Sequence, residues 1–232
     1  MRRTLLWILL TASLLFSHAN EIARIEWSGN RGTLIAEGPR PMAAAAAELA
    51  LRFGMYLSVE DPAYLHVNDK VDVTEQVARR PIDHRIFIPR TRRLEVPFEA
   101  KEDGWPANRI RLVDDLIEAA NTALPFGYQL EVSGMPFSIV PRKTRNKKGE
   151  IIEVTPLLDQ KVSIPPGRRK VFVSAGMLAE ALSAQAGLRV SCCQSFVGGV
   201  PWGIEKADFS ADDEPARDVL RRLIKLTPGR YI

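Results

Sequence analysis

The chain has 232 residues, 46% of them hydrophobic and 26% charged, which is the balance of an ordinary globular protein and not of a disordered one. Its 32 Lys+Arg against 28 Asp+Glu give a formal net charge of +4. Arg2 and Arg3 belong to the leader read below, and without them the charges nearly balance, so a general nucleic-acid binder is not implied. The two cysteines, Cys192 and Cys193, are adjacent, which excludes a long-range disulfide framework within the chain and leaves the fold to rest on packing.

The first 19 residues read as a signal peptide. Arg2 and Arg3 supply a positive start, Leu5 to Phe16 an apolar run, and Ser17-His18-Ala19 the small residues that a signal peptidase reads, so cleavage is expected after Ala19. The apolar run is shorter than the roughly 20 residues a spanning helix needs. The expected location is therefore outside the cytoplasm, in the periplasm or secreted, with membrane contact only through an uncleaved leader.

A short strand at Thr33-Leu34-Ile35-Ala36 precedes a helix from Met42 to Phe53, whose approach through Gly38-Pro39-Arg40-Pro41 suits a helix start. Gly54 is placed to end that helix, and Met55 to Val59 alternates as a strand does. Residues 61–92 read as an insertion with a strand at Arg85 to Ile88. In Arg93 to Glu99, Leu94, Val96 and Phe98 share one face. A helix from Asn108 to Thr122 then carries Leu112, Val113, Leu116 and Ile117 at helical spacing. Gly127 to Val132 and Phe137 to Val140 read as a strand and its hairpin partner. Residues 141–160 are either a basic linker or an exposed hairpin tip, because Ile151 to Val154 also has strand character.

The pattern then returns. A helix at Met177 to Ala186 is closed by Gly187 and followed by a strand at Leu188 to Cys192. Ile204 to Phe209 reads as a strand, Asp212-Asp213-Glu214-Pro215 as an acidic helix start, and Val219, Leu220, Leu223 and Ile224 as the apolar stripe of the next helix. Aligning Gly54 with Gly187 also aligns Leu49 with Leu182 and Leu57 with Val190. The expectation is an α+β protein of two related β-α-β-β-α-β units, with helices packed on small mixed sheets, spanning residues 20–140 and 161–232.

These strands, Ala- and Leu-rich helices, Gly-apolar-x-apolar strands and endings in which a tyrosine follows a glycine closely (Gly127-Tyr128, Gly229-Arg230-Tyr231) make each unit resemble the short N-terminal domain shared by secretins and TonB-dependent receptors. That resemblance implies a non-catalytic docking or signalling module. Its partners would be envelope proteins of a secretion, pilus or TonB-type system, or a second copy of itself. The departures are the long insertion in the first unit and the short second unit, which ends two residues into its last strand.

No nucleophile elbow, phosphate loop or dinucleotide fingerprint is present, and neither His66 nor His84 has a second histidine three or four residues away. Gly198 to Gly203 reads as a loop, and the paired acids Asp114-Asp115 and Asp212-Asp213 are assigned helix-dipole and capping roles. No catalytic, cofactor or metal residues are assigned. The candidate positions are Cys192 and Cys193 for redox or disulfide chemistry, with Cys192 facing the core and Cys193 the more accessible thiol. Trp202, Tyr231 and Ile232 are candidates for partner contact, the last two as an unpaired strand. Two alternatives remain: an exported hydrolase using scattered acids, and a binder of anionic polymers through Arg90, Arg92, Arg93, Arg142, Lys143, Arg145, Lys147 and Lys148.

Overall fold

The computed structural model describes residues 22–55, 57–77, 85–131, 137–187, 190 and 206–226. The chain is mixed α+β with small sheets and divides into two compact units, residues 1–154 and 155–232. Among the described residues no helix is long and apolar enough to cross a membrane.

Among its described residues the first unit holds two three-stranded sheets. In one, β1 (Ile22–Ser28), β2 (Arg31–Gly38) and β6 (Arg92–Glu99) run antiparallel in the order β1-β2-β6. In the other, β3 (Leu57–Val59) pairs in parallel with β8 (Phe137–Pro141), which pairs antiparallel with β7 (Tyr128–Glu131). Helix α1 (Pro41–Phe53) packs on β1, β2 and β3, and α3 (Arg109–Ala123) on β6 and β7. Each helix therefore joins the two sheets, and a single apolar core forms from Leu34, Leu49, Val96, Leu116, Phe126 and Ile139 with their neighbours.

Local chemistry sets the element ends. Pro41 occupies the first turn of α1, where its missing N–H costs no hydrogen bond, and Gly54 ends the helix at φ 56°. The Asn108 side chain accepts the Arg111 N–H at 3.0 Å and starts α3. Asp114 and Asp115 thus lie inside the helix and not at its cap, and Asp115 pairs with Arg111 one turn back at 2.8 Å. In β6 the burial alternates as expected, with Leu94, Val96 and Phe98 inside.

The insertion is a small antiparallel pair, β4 (Lys70–Asp72) with β5 (Phe87–Pro89), separated by the short helix α2 (Thr74–Val77). The Asp72 carboxylate accepts from the Thr74 hydroxyl and N–H at 2.5 and 2.9 Å, which holds it below the usual carboxylate range and turns the chain into α2. Residues 143–153 form a hairpin of β9 (Lys143–Arg145) and β10 (Ile151–Glu153) that belongs to the first unit. It is anchored to the insertion: the buried Thr144 hydroxyl donates to the Ala63 carbonyl at 2.8 Å, and Arg145 reaches the buried Asp69 at 3.4 Å.

Among its described residues the second unit has one antiparallel pair, β11 (Lys161–Lys170) with β12 (Lys206–Pro215), and two helices, α4 (Val171–Ala186) on β11 and α5 (Ala216–Lys225) on β12. The helices touch each other, and Val162, Ile164, Leu178, Leu182, Val219 and Leu223 build the core. Gly187 ends α4 at φ 62°. The reading of Asp212 to Pro215 as a helix start is corrected, because these residues finish β12. The ladder shifts register here, Asp213 takes φ 48° and its N–H bonds the Ser163 hydroxyl at 3.0 Å, which is bulge geometry; the helix begins only after Pro215.

Candidate functional site

The edge strand β1 is absent from the strands read from the sequence, although its signal is there. Ile22 to Ser28 and Arg31 to Gly38 flank the dipeptide Gly29-Asn30, and Gly29 takes φ 62°, the positive angle a two-residue hairpin loop needs.

Register fixes which way each residue of the three-stranded sheet points. On the inner face, three rows cross β1, β2 and β6: Ala23-Ala36-Leu94, Ile25-Leu34-Val96 and Trp27-Gly32-Phe98. In the last row glycine sits between two aromatics, and the Phe98 ring lies over it. A Cβ at Gly32 would fall 2.3 Å from the ring tip. Held there, Phe98 makes T-shaped contacts with Trp27 at 5.7 Å and Phe53 at 5.9 Å, and Phe53 continues to Trp105 at 5.8 Å, whose ring carries the Arg109 guanidinium at 4.3 Å. The row begins in the core and emerges at Trp27, which is 50% exposed.

Trp27 also borders a cavity of about 270 Å³ between the β1–β2 turn and the loop after β6, lined by Asn30, Ala100, Lys101, Glu102 and Gly104. That loop is fastened by Ala100 N–H to Asn30 carbonyl at 2.8 Å, Lys101 N–H to Trp105 carbonyl at 2.8 Å and Ala107 N–H to Glu99 carbonyl at 2.8 Å. Gly32→Ala is expected to push Phe98 off its seat, cost about 1–3 kcal/mol by overpacking, and uncouple Trp27; a thermal melt together with Trp27 fluorescence checks this.

The two edges of this sheet are not equivalent. In a two-residue hairpin the closing pair, Ser28 and Arg31, exchanges hydrogen bonds, so alternate β1 residues bond to β2 and Ala23, Ile25 and Trp27 aim their backbone groups outward. The same alternation turns Arg93, Glu95, Pro97 and Glu99 outward on β6. Pro97 has no N–H to offer, and the Glu99 carbonyl is already taken by Ala107, so that edge is blunted. Among the described residues β1 has β2 as its one sheet neighbour, and its outward donors and acceptors form a ready template for another strand.

Cys192, Cys193, Trp202, Tyr231 and Ile232 lie outside the described residues, as does His84. The His66 Nδ1 accepts the Asn68 N–H at 3.2 Å, a turn-capping role. Among the described residues no group of three or more metal-ligating side chains converges. Much of the basic set is occupied within the chain: Arg93 with Glu37 and Glu95, Arg142 with Glu131, Lys143 with Glu153, and Arg145 with Asp69. A groove of about 400 Å³ between β6 and the start of α3 holds Glu99 and the paired Arg111 and Asp115, without a histidine.

No family model, curated protein or solved structure matched the chain when it was compared with known proteins.

Proposed function

We propose that this chain is an exported, non-catalytic docking protein of the cell envelope, and that it binds by adding a partner strand to the free edge of β1. The observation that carries the reading is the pairing of an open edge, at Ala23, Ile25 and Trp27, with a half-exposed tryptophan fixed from behind by Phe98. In strand addition the main-chain bonds supply affinity and the side chains beside the edge supply selectivity. A tryptophan rooted in a rigid aromatic row is the residue type that dominates such contacts.

The wider assignment is to two related units similar to the short N-terminal domain of secretins and TonB-dependent receptors, placed in the periplasm by a signal peptide. It is supported by the shared order of an antiparallel strand pair with one helix after each strand. It is also supported by the left-handed glycines Gly54 and Gly187 that close the first helix of each unit, and by the buried Leu49 and Leu182 at equivalent distances before them. The internal pairing of Arg93, Arg142, Lys143 and Arg145 with carboxylates weighs against an anionic-polymer binder, since their charge is already compensated.

A photo-crosslinking residue in place of Trp27 is expected to trap a partner in intact envelopes of the native cell. The same residue in place of Glu118, exposed on α3, is expected to trap none. No adduct from position 27, or equal adducts from both positions, would remove β1 as the docking edge.

A further inference from the structure

We propose that the partner strand at β1 is β1 of a second copy of this chain, paired antiparallel about a two-fold axis at Ile25; the inference rests on the edge-docking reading above. The argument is one of register. Because the outward backbone groups of β1 belong to Ala23, Ile25 and Trp27, a second β1 meets the edge in phase only when odd-numbered residues oppose odd-numbered ones.

The register centred on Ile25 uses the whole strand. It sets Ile25 against Ile25, Ala23 against Trp27, Ile22 against Ser28, and Arg24 against Glu26 twice over. About six backbone hydrogen bonds would form, joining two three-stranded sheets into one continuous sheet. On the inner face the large Trp27 falls opposite the small Ala23 of the other copy, and the reverse pair does the same, so the bulk of each indole has space to occupy.

The charges select this register over its neighbours. In the monomer Arg24 and Glu26 lie on one face of β1 and already pair at 2.8 Å. In the dimer the two pairs would form a square of alternating sign, with directly opposed side chains about 4.5–5.5 Å apart at Cβ. Moving the axis one residue toward the N-terminus sets Arg24 against Arg24. Moving it one residue the other way sets Glu26 against Glu26. Like charges in direct opposition are unfavourable, so the same two residues that admit one register reject the two beside it. This is also how a sheet edge can pair with its own copy without offering a template to arbitrary strands.

The test is sedimentation equilibrium of the purified protein and of charge variants whose folding is checked by circular dichroism and melting temperature. The wild type should form a reversible dimer. Arg24→Glu and Glu26→Arg should each weaken self-association by about tenfold or more, because attraction becomes repulsion at both symmetric positions. The double variant Arg24→Glu, Glu26→Arg should recover the wild-type dimer. The two single variants, each weakly self-associating, should combine when mixed in equal amounts, since the acidic strand then faces the basic one.

A wild type that stays monomeric up to about 1 mM, or a dimer indifferent to these exchanges, overturns the proposal. If the chain is monomeric and Trp27 still traps a different protein, self-pairing fails and edge docking stands. If neither dimer nor adduct is found, both readings fail.

Discussion

Truncating Leu223 or Leu182 to alanine should destabilise the second unit by about 2–5 kcal/mol each. Leu223 is fully buried on α5 and Leu182 is 2% exposed on α4, and they belong to one small core built on a two-stranded sheet. Truncation leaves a cavity in that core, and the cavity term adds to the lost transfer energy. Against a typical total of about 5–15 kcal/mol for a native protein, either change removes a large share. Hydrogen exchange followed separately in residues 155–226 and in the first unit measures it, and the loss should be confined to the second unit. Unchanged protection in both variants would mean that the inner faces of α4 and α5 are wrongly drawn.

Arg217→Ala should cost about 1.5–3 kcal/mol, an effect that hydrophobic patterning does not reveal. The Arg217 side chain is 7% exposed at the start of α5, with Nε and Nη2 at 3.1 and 2.9 Å from Asp159 Oδ1. Asp159 ends a single helical turn, Leu157–Asp159, and the next residue, Gln160, accepts the Ala216 N–H at 2.9 Å. The pair therefore clamps the approach to β11 onto the first turn of α5. Removing the guanidinium takes two charge-assisted hydrogen bonds from a part-buried carboxylate and leaves the space the side chain filled at the start of α5. Replacing both partners, as Arg217→Met with Asp159→Leu, should restore most of the loss. Urea denaturation of the single and double variants checks this, and a double variant no better than Arg217→Ala would show that the arginine acts by packing alone.

What was legible in the sequence was local. The faces of β6 and α3 followed from the spacing of Leu94, Val96 and Phe98 and of Leu112, Val113 and Leu116, because side-chain direction depends only on the periodicity of the chain's own backbone. The ends of α1 and α4 followed from Gly54 and Gly187, because the left-handed angle is cheap only for glycine. The same local logic misread Asp212 to Pro215. Acids before a proline suit a helix start, yet the ladder to β11 claims them, and Asp213 absorbs the extra length as a bulge.

The sequence by itself determined which residues are apolar, where helices must end and how each amphipathic segment faces, and from these the α+β class followed. Only the tertiary structure decided which strands are neighbours. It brought Thr144 to Ala63 and Arg145 to Asp69 across more than seventy residues, turning a basic stretch that could have been a linker into an anchored hairpin. It also placed Trp27 beside Gly32 and Phe98 and, among the described residues, left the β1 edge of that sheet open while Pro97 blunts the other. Strand pairing is chosen by contacts between distant segments, whose backbone groups are chemically alike along the chain, so no local pattern marks which edge will be left free.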